Sequence, residues 1–213
     1  AGLRAGRVAK LNYLPSVECI WNCSFGDKKF LELLEPGFDV VCHHGAFVEN
    51  YRSHDFDIAH AVQVNTNRAT EVVSLARRKG VKKIVVTGSV FEANEGTGSL
   101  PLVAFSPYGL SKTFSWETFR YLAWKNDLAL TKFVIPNPFG PFEEPRFCHY
   151  LIHNWAQGNV PSIKTPDYIR DNIHVDLLAN CYKETVENGT NGIVSVNPSG
   201  YTGAQKEFSL RFA

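Results

Sequence analysis

The fold is decided by the stretch NTNRATEVVSLARRKGVKKIVVTGS, residues 65–89. Its first part carries apolar residues at helical spacing, namely Ala69, Val72, Val73, Leu75 and Ala76. Basic residues and then Gly80 follow, as expected at the end of a helix. The second part, KKIVVTGS, is a short apolar run typical of a strand buried on both faces. The stretch therefore predicts a helix that leads into a strand of a parallel sheet.

The same alternation continues on both sides of this stretch. FDVVCHHGA (residues 38–46) predicts a buried strand, and LTKFVIPNPFGP (residues 130–141) predicts a strand that ends in a Pro/Gly loop. Between them, SKTFSWETFRYLAWKND predicts a long helix. Its inward residues are predicted to be Phe114, Trp116, Phe119 and Leu122. Alternating strands and helices indicate an α/β fold, a Rossmann-like, doubly wound parallel sheet.

The rhythm changes after Pro141, which suggests a second, smaller lobe. PRFCHYLIHNWAQGN predicts a helix, a second helix is expected from about Val175, and GIVSVN predicts a short strand. We predict two domains, a Rossmann-like domain over residues 1–141 and a small α+β lobe over residues 142–213. The chain starts in mid-pattern at AGLRAG, without a preceding strand. We therefore expect the first βαβ unit to be missing or incomplete.

Composition excludes several classes of function. The 213 residues carry a net charge of +1, which gives no electrostatic footprint for nucleic acid. The sequence contains neither an apolar run of membrane-spanning length nor a signal-peptide pattern. Its five cysteines fit no zinc or disulfide framework, so we expect free thiols, a cytoplasmic protein and no metal. The adjacent His43 and His44 would point to opposite faces of a strand and so do not suggest a metal site.

Candidate catalytic residues lie where the predicted strands end, which is where parallel sheets bind ligands. Thr87 and Ser89 end one strand, and SPYGLSK (residues 106–112) places Tyr108 and Lys112 on one helix face just upstream of the long helix. A hydroxyl, a phenol and an ammonium at one point suit proton transfer at a carbon that exchanges hydride. Lys112 is expected to lower the pKa of the tyrosine from about 10 towards neutral.

Taken together, these segments resemble the extended short-chain dehydrogenases/reductases of the NAD-dependent epimerase/dehydratase family, which act on nucleotide-linked sugars. Five segments follow the family's order over about residues 38–187 of this chain. They are DVVCHHGA, NTNRATEVVSLARRKGVKKIVVTGSVFE, SPYGLSK, VIPNPFGP and RDNIHVDLLA. The resemblance implies hydride transfer at a sugar carbon, with NAD or NADP as cofactor. It also implies a homodimer formed through the Tyr108-bearing helix and the helix before it.

The resemblance also implies roles for single residues. Tyr108 would be the catalytic acid/base, with Lys112 as its partner and ligand of the nicotinamide ribose, and Thr87 as the catalytic hydroxyl. The residues expected to border the cofactor are Gly45, Ala46, Pro136 and Asn65, the last beginning the helix beside it. The residues expected to contact the nucleotide sugar are Ser89, Asn137 and Arg170. Of these, Arg170 would hold the diphosphate, since a planar guanidinium suits that group.

Two departures from the family pattern limit these expectations. The Gly-x-x-Gly-x-x-Gly turn that cradles the dinucleotide pyrophosphate is not present in the sequence, since AGLRAG has its glycines at the wrong spacing. Family dehydratases carry Asp-Glu directly after the catalytic Thr, whereas Gly88 and Ser89 stand there in this chain. The second departure disfavours 4,6-dehydration and leaves a 4-epimerase or a 4-ketoreductase. The first supports an alternative, a non-catalytic relative that senses a dinucleotide or binds a partner.

Overall fold

The computed structural model describes residue 11 and residues 13–96, 98–188 and 191–213. The strands are β1 (Val40–His43), β2 (Lys83–Ser89), β3 (Ala129–Ile135), β4 (Asn137–Phe139), β5 (Ile169–His174), β6 (Ile193–Val196) and β7 (Tyr201–Ala204). The helices are α1 (Lys28–Leu34), α2 (Ile58–Asn65), α3 (Ala69–Arg78), α4 (Pro107–Lys125), α5 (Phe147–Ala156), α6 (Val175–Glu187) and α7 (Gln205–Phe212). The glycines of AGLRAG lie outside the described residues. No helix in the described ranges is both long and apolar enough to cross a membrane.

The strands form two sheets. The first has the order β1-β2-β3-β6, and all of its neighbouring strands are parallel. The second has the order β4-β5-β7, with β4 parallel and β7 antiparallel to β5. The first sheet confirms the Rossmann-like α/β prediction. The three-residue strand β4 was predicted as loop, because its Pro-rich segment carries no periodic apolar pattern.

Helices cover both faces of the first sheet. Ile84 and Val86 of β2 point into a core shared with α1, α3 and α4. Val85, between them, points into a second core with Leu178 of α6. Because successive side chains of a strand point to opposite faces, a strand buried on both sides must be apolar throughout. The continuous apolar run of β2 is therefore explained by the helices on either side.

The boundaries around α3 correct one prediction. The apolar stripe predicted between Ala69 and Ala76 is buried, and Gly80 ends the segment at φ +81°. Asn65 does not begin this helix, because it is the last residue of α2. Arg68 separates the two helices with φ 49°, a left-handed conformation that a right-handed helix cannot continue through.

Helix α4 differs from its prediction in two respects. It begins at Pro107, so Tyr108 lies within its first turn and not upstream of it. Ser106 caps the helix, since its Oγ accepts a hydrogen bond from the Gly109 amide at 3.1 Å, and proline suits the first helical position. Phe114 was predicted to face inward but is half exposed, because it lies beside the buried face that runs from Ser111 through Ser115, Phe119 and Leu122.

Strand pairing connects the two parts of the chain on either side of the predicted boundary at residue 141. Strand β6, beyond that boundary, pairs with β3, whereas β4, before it, belongs to the second sheet. The buried Lys83 of β2 donates through Nζ to the carbonyl oxygens of Thr185 (2.5 Å) and Val186 (3.1 Å) at the end of α6. The last part of the chain is therefore tied to the first sheet as well as to the second.

Candidate active site

The carboxyl ends of β1, β2 and β3 open into a cavity of about 910 Å³. This volume lies at the upper end of the range of small-molecule sites, roughly 300–1,000 Å³. Most of the residues predicted for the site line the cavity, namely Ala46, Thr87, Ser89, Tyr108, Lys112, Pro136, Asn137 and Arg170. Gly45 and Asn65 are not part of this lining.

Tyr108 is held in the cavity wall by the start of α4. Gly109 packs so closely against the preceding loop that a Cβ at this position would lie 1.9 Å from the Phe91 carbonyl oxygen. The Tyr108 ring makes edge contacts with Tyr51 and Phe56, at centroid distances of 5.5 and 6.0 Å. The position of the phenol is therefore fixed by a helix cap, a close backbone contact and two aromatic rings.

Lys112 ties α4 to the end of β2. Its side chain is buried, and Nζ donates a hydrogen bond to the backbone carbonyl of Thr87 at 2.6 Å. Burial lowers the pKa of Lys112, and the negative charge of Glu92 opposes that shift. The ammonium is thus placed beside Thr87, on a residue that follows Tyr108 by one turn of α4.

The pKa of Tyr108 is shifted in the direction opposite to the one predicted. Burial, followed by the charge of Glu92 and the neighbouring Tyr51, raises the pKa of this phenol to about 12. The physical reason is that Lys112 directs its ammonium to the Thr87 carbonyl. The phenol itself is buried, and the negative charge of Glu92 disfavours its ionisation further. Tyr108 is accordingly protonated at neutral pH.

Thr87 is held at both of its polar ends. Its carbonyl accepts from Lys112, and its Oγ1 lies 2.8 Å from Nδ1 of His44, which also lines the cavity. The backbone amide of Ser89 donates to Oε1 of Glu92 at 2.7 Å, which fixes the turn at the end of β2. The bond between His44 and Thr87 was not predicted, because sequence gives no register between separate strands.

A buried charge cluster lies behind this turn. Glu92 and Lys132 are 1% and 4% exposed, so both ions are withdrawn from water. The Lys132 ammonium lies 2.8 Å from Glu95 Oε1 and 2.8 Å from Glu92 Oε2, the latter an ion contact without the alignment of a full hydrogen bond. The ring of Trp116 covers the same ammonium at 5.4 Å. Sequence reasoning missed this cluster, because a Glu after a strand reads as a loop residue.

The two predicted cofactor residues that do not line the cavity, Gly45 and Asn65, both belong to or contact the loop after β1. Gly45 is exposed, and a Cβ added to it would meet nothing within 4 Å, so there is open space above its backbone. Asn65 is only 2% exposed, and its amide accepts from the Phe47 backbone at 2.7 Å and donates to Ser115 Oγ at 3.3 Å. Asn65 therefore braces the loop, and its contact with a cofactor stays a prediction.

The opposite end of the cavity is formed by the second sheet. Strands β4 and β5 pair in parallel and bring Arg170 beside Asn137, with Nη1 donating to Oδ1 at 3.5 Å. The Asn137 amide donates in turn to the Asp171 carbonyl at 3.2 Å, and the Arg170 guanidinium lies 4.9 Å from the ring centre of Tyr168. A planar cation is thus oriented at the end of the cavity away from β1.

Comparison with solved structures shows the same fold in nucleotide-sugar enzymes. A dTDP-glucose 4,6-dehydratase from Streptomyces venezuelae with NAD bound matches with a TM-score of 0.75 at 19% identity, covering 98% of this chain and 66% of its own. A mutant UDP-glucuronic acid 4-epimerase from Bacillus cereus, in complex with UDP-4-deoxy-4-fluoro-glucuronic acid and NAD, matches with a TM-score of 0.75 at 19% identity, over 94% and 66% of the two chains.

A third structure, UDP-N-acetylglucosamine 4-epimerase from Methanobrevibacter ruminantium, has a TM-score of 0.67 and 20% identity, over 84% of this chain and 61% of its own. The chain thus spans 61–66% of the length of these structures. None of the curated proteins matches it. The sequence model of the NAD dependent epimerase/dehydratase family matches residues 7–196. The chain therefore belongs to the NAD dependent epimerase/dehydratase family.

Proposed function

We propose that this chain forms an enzyme that oxidises or reduces a nucleotide-linked sugar with NAD or NADP, as a 4-epimerase or a 4-ketoreductase. One observation carries the proposal. The first turns of α4 bring Tyr108 and Lys112 to the same cavity wall as Thr87, and the Lys112 ammonium bonds to the Thr87 carbonyl at 2.6 Å. These are the proton-transfer groups that oxidation of an alcohol carbon requires.

The residues present fit the nicotinamide end of such a cofactor. Ala46, Pro136 and Lys112 line the cavity, and the open space above Gly45 allows a ligand to approach the backbone closely. These residues would hold the cofactor beside β1 and β2, the side that carries Thr87. When bound, the nicotinamide supplies the hydride acceptor or donor. Similar structures that hold NAD support the same assignment.

Tyr108 transfers the proton in this proposal. With a pKa of about 12 the phenol carries its proton, so Tyr108 is ready to protonate a sugar oxygen as a keto group is reduced. For the reverse step the phenol must lose that proton, and a cationic nicotinamide held beside Tyr108 would favour that loss. Thr87 hydrogen-bonds the same sugar oxygen, and Lys112 holds Thr87 in place.

Arg170 and Asn137 bind the diphosphate of the nucleotide in this proposal. The guanidinium is planar, permanently charged and oriented by Asn137 at 3.5 Å, which suits two-point contact with phosphate oxygens. Because the second sheet supplies Arg170 and α4 supplies Tyr108, the substrate would lie with its diphosphate at β5 and its sugar towards Tyr108. Ser89, which also lines the cavity, contacts the sugar.

The reaction type is proposed from the carboxylates near Thr87. Gly88 and Ser89 line the cavity directly after Thr87 and supply no acid or base. Glu92, the nearest carboxylate in this segment, is 1% exposed and ion-paired to Lys132. A Glu in this environment is not placed to eliminate water from a sugar. A 4-epimerase or 4-ketoreductase is therefore favoured over a 4,6-dehydratase.

A Tyr108→Phe variant tests the proposed function. Loss of the phenol proton should reduce turnover of a nucleotide sugar at least 100-fold, because general acid–base groups contribute about 10²–10⁴-fold. Binding of NAD, measured by calorimetry, should stay within about threefold of the wild type, since Phe preserves the ring contacts with Tyr51 and Phe56. Wild-type turnover that survives in the Phe variant would refute the role of Tyr108.

Cofactor retention distinguishes the two reaction types. An epimerase reduces the intermediate that it has just oxidised and retains its cofactor, whereas a ketoreductase exchanges cofactor in each cycle. Purified protein that carries NAD and interconverts two sugars without added cofactor is expected for the epimerase. A strict requirement for added NADPH would instead establish the ketoreductase.

The alternative is a non-catalytic relative that senses a dinucleotide or binds a partner. It is supported by the raised pKa of Tyr108, a shift opposite to the one expected of an acid/base. Turnover assays with a panel of UDP- and dTDP-linked sugars discriminate the two proposals. If neither wild type nor Tyr108→Phe converts any sugar in the presence of NAD or NADP, the result favours the binding function.

We further propose a cytoplasmic location, based on the free thiols of all five cysteines.

A further inference from the structure

His44 is a cavity residue for which the proposed reaction has no role so far. It directly follows β1, and Thr87 lies on the neighbouring strand β2. Because β1 and β2 pair in parallel with His43 opposite Val86, the residues that follow them, His44 and Thr87, meet at the cavity edge. The result is the 2.8 Å contact between His44 Nδ1 and Thr87 Oγ1, which joins the imidazole to the hydroxyl proposed to bind the substrate.

The surroundings of His44 determine its charge. Partial burial, followed by the charge of Lys112, lowers the pKa of His44 below its ordinary value. From α6, the ring of Tyr182 makes an edge contact with the imidazole at 5.7 Å. The Tyr182 hydroxyl is buried near Thr87 and Cys42 without a well-aligned hydrogen bond to any described residue. His44 is therefore a neutral imidazole at neutral pH, with Thr87 as its hydrogen-bond partner.

A neutral imidazole has two tautomers, and they act on Thr87 in opposite ways. When Nδ1 carries no hydrogen, Thr87 donates to His44 and turns its lone pairs towards the cavity, where they accept from a hydroxyl group. When Nδ1 carries the hydrogen, His44 donates to Thr87, and the Thr87 hydrogen is free to bond a carbonyl oxygen. The first arrangement suits an alcohol, and the second suits a ketone.

We propose that His44 is a positioning residue that sets the direction of the Thr87 hydroxyl, so that one threonine can bind the sugar oxygen in both its alcohol and its keto form. This role rests on the proposed function, because it concerns the oxygen on which Tyr108 acts. The pair requires no residue beyond those of the described cavity wall.

Kinetics of three variants test the role. His44→Leu removes the hydrogen-bonding atom and should lower kcat about tenfold, because Thr87 loses its orientation. The KM for the nucleotide sugar should change less than about twofold, because the variant leaves Arg170 in place. His44→Asn keeps an amide group near the position of Nδ1 and should recover most of kcat. His153→Leu, an exposed histidine of α5 outside the cavity, is the matched control and should keep wild-type rates.

A measurement independent of turnover completes the test. The ¹⁵N resonances of the His44 imidazole should move, and its titration midpoint should change, in a Thr87→Val variant, while His153 is unaffected. Unchanged His44 resonances in Thr87→Val, or a wild-type kcat in His44→Leu, would overturn the proposal while leaving the enzyme assignment intact. Absence of turnover from the wild type with every sugar would overturn the proposed function and, with it, the role of His44.

Discussion

At the scale of single residues, His43 links the burial of one ring to the pH dependence of stability. The ring is 8% exposed, stacks on Phe25 at 4.0 Å and bonds through Nε2 to the Asn65 carbonyl at 2.9 Å. Burial lowers its pKa from 6.5 to about 4. Between these two values the unfolded chain binds a proton that the folded chain does not bind. Stability is therefore complete above about pH 6.5 and falls as the pH decreases towards about 4.

The expected size of this effect is measurable. From pH 7 to pH 5, His43 should cost the wild type about 2 kcal/mol of unfolding free energy. His43→Gln retains a donor for the Asn65 carbonyl but cannot be protonated, so its stability should change less over the same interval. Urea unfolding at the two pH values gives the difference. Parallel pH profiles for the wild type and the Gln variant would show that His43 carries no such linkage.

The buried charge cluster yields a second prediction at the residue scale. Lys132→Met should cost about 3–5 kcal/mol, because Glu92 then remains buried without its cation. Burial already raises the pKa of Glu92, so the loss should be greater at pH 8, where this carboxyl must ionise, than at pH 5. Urea unfolding measures both values.

An exposed ion pair just before strands β1 and β2 provides the control. Lys82 and Asp39 lie 2.7 Å apart, but their side chains are 76% and 80% exposed. Lys82→Met should change stability by less than about 1 kcal/mol, since exposed pairs contribute little. Equal losses for the two lysine variants would contradict the assignment of a buried, mutually dependent cluster around Lys132.

At the scale of elements, periodic segments could be predicted and interruptions could not. The stripe of α3 and the apolar run of β2 specify their burial directly, because each repeats the period of its element. The left-handed Arg68, which separates α2 from α3, has no sequence signal comparable to a glycine or proline. Phe114 was misplaced because an aromatic residue does not by itself define the inner face of a helix.

The site shows the same division. Thr87, Tyr108 and Lys112 could be proposed from the sequence, because strand ends and helix spacing are local features. The bond between His44 and Thr87 and the burial of Glu92 depend on how separate segments pack. The raised pKa of Tyr108 follows from that packing and not from the Tyr-to-Lys spacing.

The junction between α4 and its preceding loop gives the prediction at this scale. Alanine is favoured over glycine within a helix by about 1 kcal/mol, which alone would make Gly109→Ala stabilising. The new Cβ would, however, lie 1.9 Å from the Phe91 carbonyl oxygen, a backbone atom that cannot rotate away. The steric cost should prevail and give a net loss of about 2 kcal/mol or more in urea unfolding.

Two observations would check this balance. Gly45→Ala, whose Cβ meets nothing within 4 Å, should change stability by less than about 1 kcal/mol. The near-ultraviolet circular dichroism of Gly109→Ala should change, since Tyr108 is the neighbouring residue and moves with the first turn. A Gly109→Ala protein as stable as the wild type would mean that the loop can withdraw from α4 at little cost.

At the scale of the whole molecule, α4 presents an apolar face that the described part of the chain leaves open. Phe114, Tyr121 and Trp124 are 50%, 58% and 70% exposed, and their spacing places them on one stripe of the helix. Val64 of the adjacent α2 is 40% exposed. Contiguous apolar surface of this kind marks an interaction site. The resemblance implies a homodimer through α4 and the helix before it, α3. The exposed stripe supports a proposed homodimer packed through α4, with α2 and not α3 extending the apolar face.

Charge on this face should separate the two copies. Trp124→Glu places a carboxylate in the proposed interface, where burial without a partner would cost several kcal/mol. We expect sedimentation to give a dimer for the wild type and a monomer for the variant. Val160→Glu, at a position 95% exposed and away from both helices, should leave the dimer unchanged. A wild-type monomer, or a dimer that persists in Trp124→Glu, would show that the stripe serves another purpose. Because α4 also carries Tyr108, the proposed acid/base, kcat of the dissociated Trp124→Glu monomer would show how much the dimer contributes to holding the first turn of α4 in place.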